Sequence, residues 1–273
     1  MGEWLNADGT EIWVHRQGRG SDVLLIGGLG DPAESWQPQL DGLSDRYRLT
    51  AFDNRGAGRT RLPAGQLSVA MMADDAAAVL RALDIPAAHV AGFSGGSAIA
   101  QEMALAHPEL VRSLVLMSTY ARADEYFRSL LRFFHWMAEA APDERAMLEA
   151  FFLWIYTPRA HEDGTVEQII EEALEFAHPQ STEAFHRQVA AFLAHDTLDR
   201  LHEITVPTLV LAGEIDILLP PRYGSIVAER IPGARFEVMN QEAHQPFQEV
   251  PDTFNARVSA FWRDVETQTT SRV

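Results

Sequence analysis

Short apolar runs bounded by glycine, proline or charge recur along the first 119 residues, with helix-spaced stretches between them. Glu11 to Arg16, Asp22 to Ile26, Arg48 to Asp53, Ala88 to Phe93 and Ser113 to Met117 predict strands. Their apolar positions do not alternate with polar ones, which marks strands covered on both faces. Trp36 to Ser44, Val69 to Leu83 and Ser97 to His107 predict helices. Strands alternating with helices imply right-handed crossovers and a mostly parallel sheet. Glu3 to Asn6 and Glu11 to Arg16, joined through Asp8-Gly9, predict an antiparallel hairpin at its edge.

The rhythm breaks between residues 120 and 200. That stretch reads as nearly all helix and holds 13 of the chain's 25 aromatic residues, enough for a small apolar core of its own. From residue 203 the earlier rhythm returns, with a strand at Val206 to Ala212, a helix at Pro221 to Ile231, a strand at Arg235 to Met239 and a closing helix at Pro251 to Val265. Residues 1–119 and 201–273 are therefore expected to form one α/β core, and 120–200 a helical insertion. The polar tail Thr267 to Val273 is expected to fray.

Gly92-Phe93-Ser94-Gly95-Gly96 stands where a strand gives way to a helix. A G-x-S-x-G in that setting forms a nucleophile elbow, a turn too tight for bulky neighbours that lifts the serine hydroxyl above the sheet. Serine needs a base to take its proton, and the base needs an acid to fix its tautomer. Asp216 follows the strand at Thr208 to Ala212 in Gly213-Glu214-Ile215-Asp216, and His244 follows the next strand in Asn240-Gln241-Glu242-Ala243-His244. Both fall at the carboxyl ends of strands, where parallel sheets place their chemistry. Glu214 competes with Asp216 for the acid's role, and a turn-forming aspartate is the plainer reading of position 216. Charge developing on a carbonyl oxygen needs N–H donors. The residue after the serine, Gly95, supplies one, and Leu29 in the loop Gly27-Gly28-Leu29-Gly30-Asp31-Pro32 is the candidate for the other. That loop also mimics a dinucleotide fingerprint, Gly28-x-Gly30-x-x-Ala33 with Asp53 further on. Pro32 and Glu34 suit a pyrophosphate-binding helix start poorly, and nucleotide binding explains nothing about Ser94, Asp216 and His244.

Composition narrows the field further. A net charge of −17 repels nucleic acid and anionic membranes, so neither is an expected partner. No cysteine is present, which removes disulfides, thiolate metal sites and cysteine nucleophiles. The N-terminus lacks a basic segment followed by an apolar one, and no apolar run approaches the roughly 18 residues that span a bilayer. A cytoplasmic protein is expected. No His, Asp or Glu cluster shows metal-ligand spacing, and this chemistry requires no cofactor, so neither metal nor cofactor is expected.

The chain resembles the α/β-hydrolase superfamily over essentially its whole length. The resemblance rests on Gly27-Gly28-Leu29-Gly30, Asp53-Asn54-Arg55-Gly56-Ala57-Gly58, Gly92-Phe93-Ser94-Gly95-Gly96, Gly213-Glu214-Ile215-Asp216 and His244. Ala100-Gln101-Glu102 and His107-Pro108-Glu109 are most similar to the serine esterase and 3-oxoadipate enol-lactonase branch. It implies an eight-stranded, mostly parallel sheet flanked by helices, with a helical cap inserted after the sixth strand. It also implies a triad of Ser94, Asp216 and His244, with Leu29 and Gly95 forming the oxyanion hole. Gly27 stands where such chains commonly carry histidine, so the loop must be supported differently. A serine at 94 argues against the branches that use an aspartate nucleophile, the haloalkane dehalogenases and epoxide hydrolases.

The expected activity is hydrolysis of a small apolar ester or lactone through an acyl-enzyme on Ser94. The same triad serves C–C bond hydrolysis, thioester hydrolysis and perhydrolysis, and this fold also hosts ligand receptors and non-hydrolytic cyclases. Most cap aromatics are expected to pack against one another, with Phe133 and Trp154 as the candidate pocket walls. Arg122, Arg128, Arg132 and Arg159 are expected on solvated faces, which argues against a doubly charged substrate. The sequence leaves a homodimer open.

Overall fold

Asp8 and Gly9, both at positive φ (50° and 85°), form the tight turn that starts the sheet. In this computed structural model, which describes residues 2–270, the turn joins β1 (Gly2–Ala7) to β2 (Thr10–Gly18). The other strands are β3 (Ser21–Ile26), β4 (Tyr47–Phe52), β5 (Ala88–Phe93), β6 (Val111–Met117), β7 (Thr208–Gly213) and β8 (Arg235–Met239). They form one eight-stranded sheet in the order β1-β2-β4-β3-β5-β6-β7-β8. β2 runs antiparallel to both β1 and β4, and every other pairing is parallel.

The continuous apolar runs follow from this layering. In β3, Val23 and Leu25 enter the apolar layer on one face while Leu24 and Ile26 enter the layer on the other. Between strands lie α1 (Gln37–Leu43), α2 (Val69–Ala82) and α3 (Gly95–Ala106). Five helices separate β6 from β7, namely α4 (Glu125–Ala140), α5 (Glu144–Phe152), α6 (Pro158–Glu162), α7 (Thr165–Glu175) and α8 (Thr182–Ala194). After β7 come α9 (Pro221–Arg230), α10 (Pro246–Glu249) and α11 (Pro251–Thr270). α1 packs on α11 across one face and α2 on α3 across the other. The fray expected from Thr267 onward is corrected in part, because α11 continues to Thr270, while residues 271–273 lie outside those described. Among the described residues no helix is long and apolar enough to cross a membrane.

Candidate active site

The elbow is built by close approach. A Cβ on Gly92 would come within 2.7 Å of the Gly96 carbonyl carbon and 2.8 Å of Ser97 Cα. One on Gly96 would lie 2.5 Å from the Gly27 carbonyl oxygen and closer still to that of Ile26. Only glycine lets β5, α3 and the end of β3 meet there. Ser94 adopts φ 52° and ψ −119°, a conformation that costs a non-glycine residue of order 1–3 kcal/mol and is tolerated where the surroundings over-determine it. The surroundings do so here. The Ser94 N–H donates to Met117 O at 2.9 Å, and Ser94 O accepts from Ser97 Oγ at 2.5 Å. Ser97 Oγ also lies 2.9 Å from Thr119 Oγ1, which accepts from the buried Gln101 amide at 2.7 Å.

The structure brings Ser94, His244 and Asp216 into one line. His244 Nε2 lies 3.0 Å from Ser94 Oγ, and His244 Nδ1 lies 2.7 Å from Asp216 Oδ2. Asp216 is held by its own loop, because Oδ1 accepts the Leu218 and Leu219 N–H groups at 2.9 and 2.8 Å. His244 is fixed through its backbone, its N–H donating to Ile155 O at 3.0 Å and its carbonyl accepting from Ser118 Oγ at 2.8 Å. Glu214, the competing acid, is exposed and accepts the Gln241 N–H at 2.8 Å, bracing the loop that carries the histidine.

The glycine loop is supported as its missing histidine requires. Asn54 Nδ2 donates to Gly27 O at 3.0 Å, and the Gly28 N–H donates to Asp31 Oδ2 at 2.8 Å. The Gly30 N–H donates to Gln188 Oε1 on α8 at 3.0 Å. Its neighbours thus have protein acceptors, while among the described residues the Leu29 and Gly95 N–H groups have none. Asp53, the acid of the dinucleotide look-alike, spends its oxygens on the Ala33 and Arg59 N–H groups, both at 2.7 Å. Gln188 carries no motif. Its only signal is a polar residue on the apolar face of a helix, beside Phe185, Val189 and Phe192.

Ser94 and His244 open into a cavity of about 500 Å³, counting its mouth. Phe127, Leu131 and Phe134 of α4 wall it with Phe151, Ile155, Phe192 and Leu218. Leu29, Asp31, Gly95, Tyr120 and Gln245 reach it too. Phe133 and Trp154 do not, which corrects the expectation that they form its walls. Phe133 is turned outward, with its ring against Trp136 and Trp154 at 5.8 and 5.7 Å. Residues 127, 131 and 134 share one face of α4 at helical spacing, and 133 lies off it.

Burial pushes the Asp31 carboxyl up to about 6, against the pull of the Gly28 N–H and of His244. Outside the cavity, His135, Glu139 and His186 bring one donor atom each within 4.8 Å of one another. The spacing of 135 and 139, one helical turn, was the signal available for this set. The two histidine rings stack nearly face to face, with centroids 3.6 Å apart.

Comparison with known proteins identifies the fold. The profile of the family described as alpha/beta hydrolase fold matches residues 23–250. A protein of Azorhizobium caulinodans named "Putative carbamate hydrolase RutD" is 35% identical over 257 residues, covering 94% of this chain and 97% of its own. A hydrolase structure from Pseudomonas aeruginosa PA01 aligns with a TM-score of 0.85 at 26% identity, covering 96% of this chain and 98% of that one. The enol-lactonase from Burkholderia xenovorans LB400 aligns with a TM-score of 0.86 at 23% identity, covering 96% and 100%, a likeness of fold alone.

Proposed function

The chain belongs to the α/β hydrolase fold family, and from that premise we propose that it is a serine hydrolase that cleaves a carboxyl ester or lactone. The observation that carries the reading is the line from Ser94 Oγ through His244 to Asp216, at 3.0 and 2.7 Å, beside two N–H groups that have no protein acceptor among the described residues. Ser94 Oγ attacks the carbonyl carbon as its proton passes to His244 Nε2. The Nδ1–H of His244 donates to Asp216 throughout, which holds the tautomer and stabilises the imidazolium. The oxyanion receives the Leu29 and Gly95 N–H groups. When the intermediate collapses, His244 returns the proton to the departing alkoxide. It then deprotonates the water that frees the acid and restores Ser94.

Residues 120–200 serve as the cap over a core of 1–119 and 201–273, and its aromatic wall excludes water and favours apolar groups. A second reading, hydrolysis of a carbamate by the same steps, is favoured by the identity with the RutD-named relative. A panel of short p-nitrophenyl esters, lactones and carbamates, with fluorophosphonate labelling, tests both. The expected result is labelling at Ser94 and turnover that Ser94→Ala abolishes while the circular dichroism stays unchanged. Turnover equal in that variant, or no labelling of the parent protein, refutes the proposal.

A further inference from the structure

Asp31 is a carboxylate in a cavity walled mainly by phenylalanine and aliphatic side chains. It lies two residues beyond Leu29, against the nucleophile. A single Cβ-sized position at Gly28 would touch both Asp31 Oδ2, at 3.1 Å, and Ser94 Cβ, at 3.2 Å. Its Oδ2 accepts the Gly28 N–H at 2.8 Å, and among the described residues its Oδ1 has only a long contact with the Ser35 hydroxyl, at 3.4 Å. A carboxylate offers about four acceptor positions, so capacity remains on this lining residue. The other polar groups there are largely committed. Tyr120 donates to Phe192 O, and Ser94 and His244 face each other. Gln245 is neutral, so Asp31 is the one acid among the lining residues.

An apolar acyl group that filled this cavity would strip the remaining water from Asp31 and return no donor, which is costly for a charged acceptor. A site built around such an acceptor rejects a ligand that lacks the matching donor far more strongly than a greasy pocket rejects a methylene. Resting on the acyl-enzyme reading above, we propose that Asp31 is a specificity-determining residue that accepts a hydrogen bond from an O–H or N–H borne next to the scissile carbonyl. The preferred acyl groups are thus apolar bodies with one donor on the α-position, such as α-hydroxy acyl esters.

The test compares methyl lactate with methyl 2-methoxypropanoate, whose α-oxygen accepts but cannot donate, by pH-stat with the wild-type protein and with Asp31→Asn. The asparagine oxygen can keep the Gly28 N–H bond while its amide turns donors toward the substrate. The wild type is expected to favour the lactate in kcat/KM by at least about tenfold. The variant should bring that ratio down at least about tenfold, an inversion of acceptor into donor that cancels the steric difference between the esters. A wild-type ratio near one, or a variant that slows both esters equally, overturns the proposal and leaves Asp31 a brace of its loop. Fluorophosphonate labelling of Ser94 separates the two levels. If the wild type neither labels nor turns over either ester, the acyl-enzyme reading falls and this assignment falls with it. If it labels and shows no preference, only the role of Asp31 is lost.

Discussion

Replacing Gly96 by alanine should damage catalysis more than it damages folding. The added methyl would sit 2.5 Å from the Gly27 carbonyl oxygen and nearer still to that of Ile26. Carbon and oxygen need about 1 Å more than that. No rotamer can supply it, because both obstacles are backbone. Ile26 cannot yield easily either, since it pairs with Phe52 on one side and Gly92 on the other. The strain is relieved only if α3 tips away from the sheet or the Gly27–Pro32 loop retreats. Either movement separates the Gly95 N–H from the Leu29 N–H by about the missing distance, and a misplacement of ~1 Å can cost about 100-fold in rate. Overpacking of this kind costs roughly 1–3 kcal/mol, which a typical domain survives. The assay is kcat/KM on a p-nitrophenyl ester beside a urea unfolding curve. Leu43→Ala serves as control, since Leu43, the last residue of α1, is buried on the opposite face, and its truncation should cost about 2–5 kcal/mol yet leave kcat/KM near the parent's. If Gly96→Ala keeps kcat/KM within about threefold of the parent while losing stability, the coupling between this contact and the two donors is refuted.

Two further outcomes are expected. Asp216→Asn should lower kcat by several orders of magnitude, as loss of the histidine's orienting acid does in serine hydrolases, whereas Glu214→Gln should stay within about tenfold because it frees only a loop N–H; comparable losses in both would reopen the choice of acid. Burial, aided by Arg200, brings His195 down to about 4, so the unfolded chain binds a proton there between pH 6.5 and 4 that the folded chain does not. Its contribution to stability is therefore lost as pH falls through that window, and His195→Gln should lose about 2 kcal/mol less than the parent between pH 7 and pH 5. Parallel unfolding curves at the two pH values would sink that assignment.

The central sheet was legible because β3, β5 and β7 lie buried on both faces, which leaves short continuous apolar runs in the sequence. The elbow was legible for a different reason. Gly92 and Gly96 are fixed by backbone approaching backbone, so the constraint appears directly as residue type. Asp216 and His244 could be picked out because each sits just past a strand, where a parallel sheet offers its loops. The cavity wall left no such trace. Phe133 and Phe134 are neighbours of the same chemistry, and only the phase of α4 against the sheet sends 134 inward and 133 toward solvent. That phase is set by long-range packing, with α8 lying across α4, and adjacent aromatics blur the periodic signal that would reveal it.

The two aspartates near the glycine loop show where reading residue types stops. Asp53 matched a ligand-binding fingerprint in type and spacing, yet both of its oxygens are filled by N–H groups of the scaffold, and the Arg59 guanidinium adds a contact at 3.3 Å. Asp31 matched no motif, yet the fold places it on the wall of a largely apolar cavity with part of its acceptor capacity unspent. A buried carboxylate must find donors somewhere. Where the fold provides them all, the residue is a strut; where it provides one firm bond and a cavity, a ligand that displaces the water there has to bring the remaining donor. Counting filled acceptor positions therefore separates these two residues when identity and spacing would have ranked them the other way round.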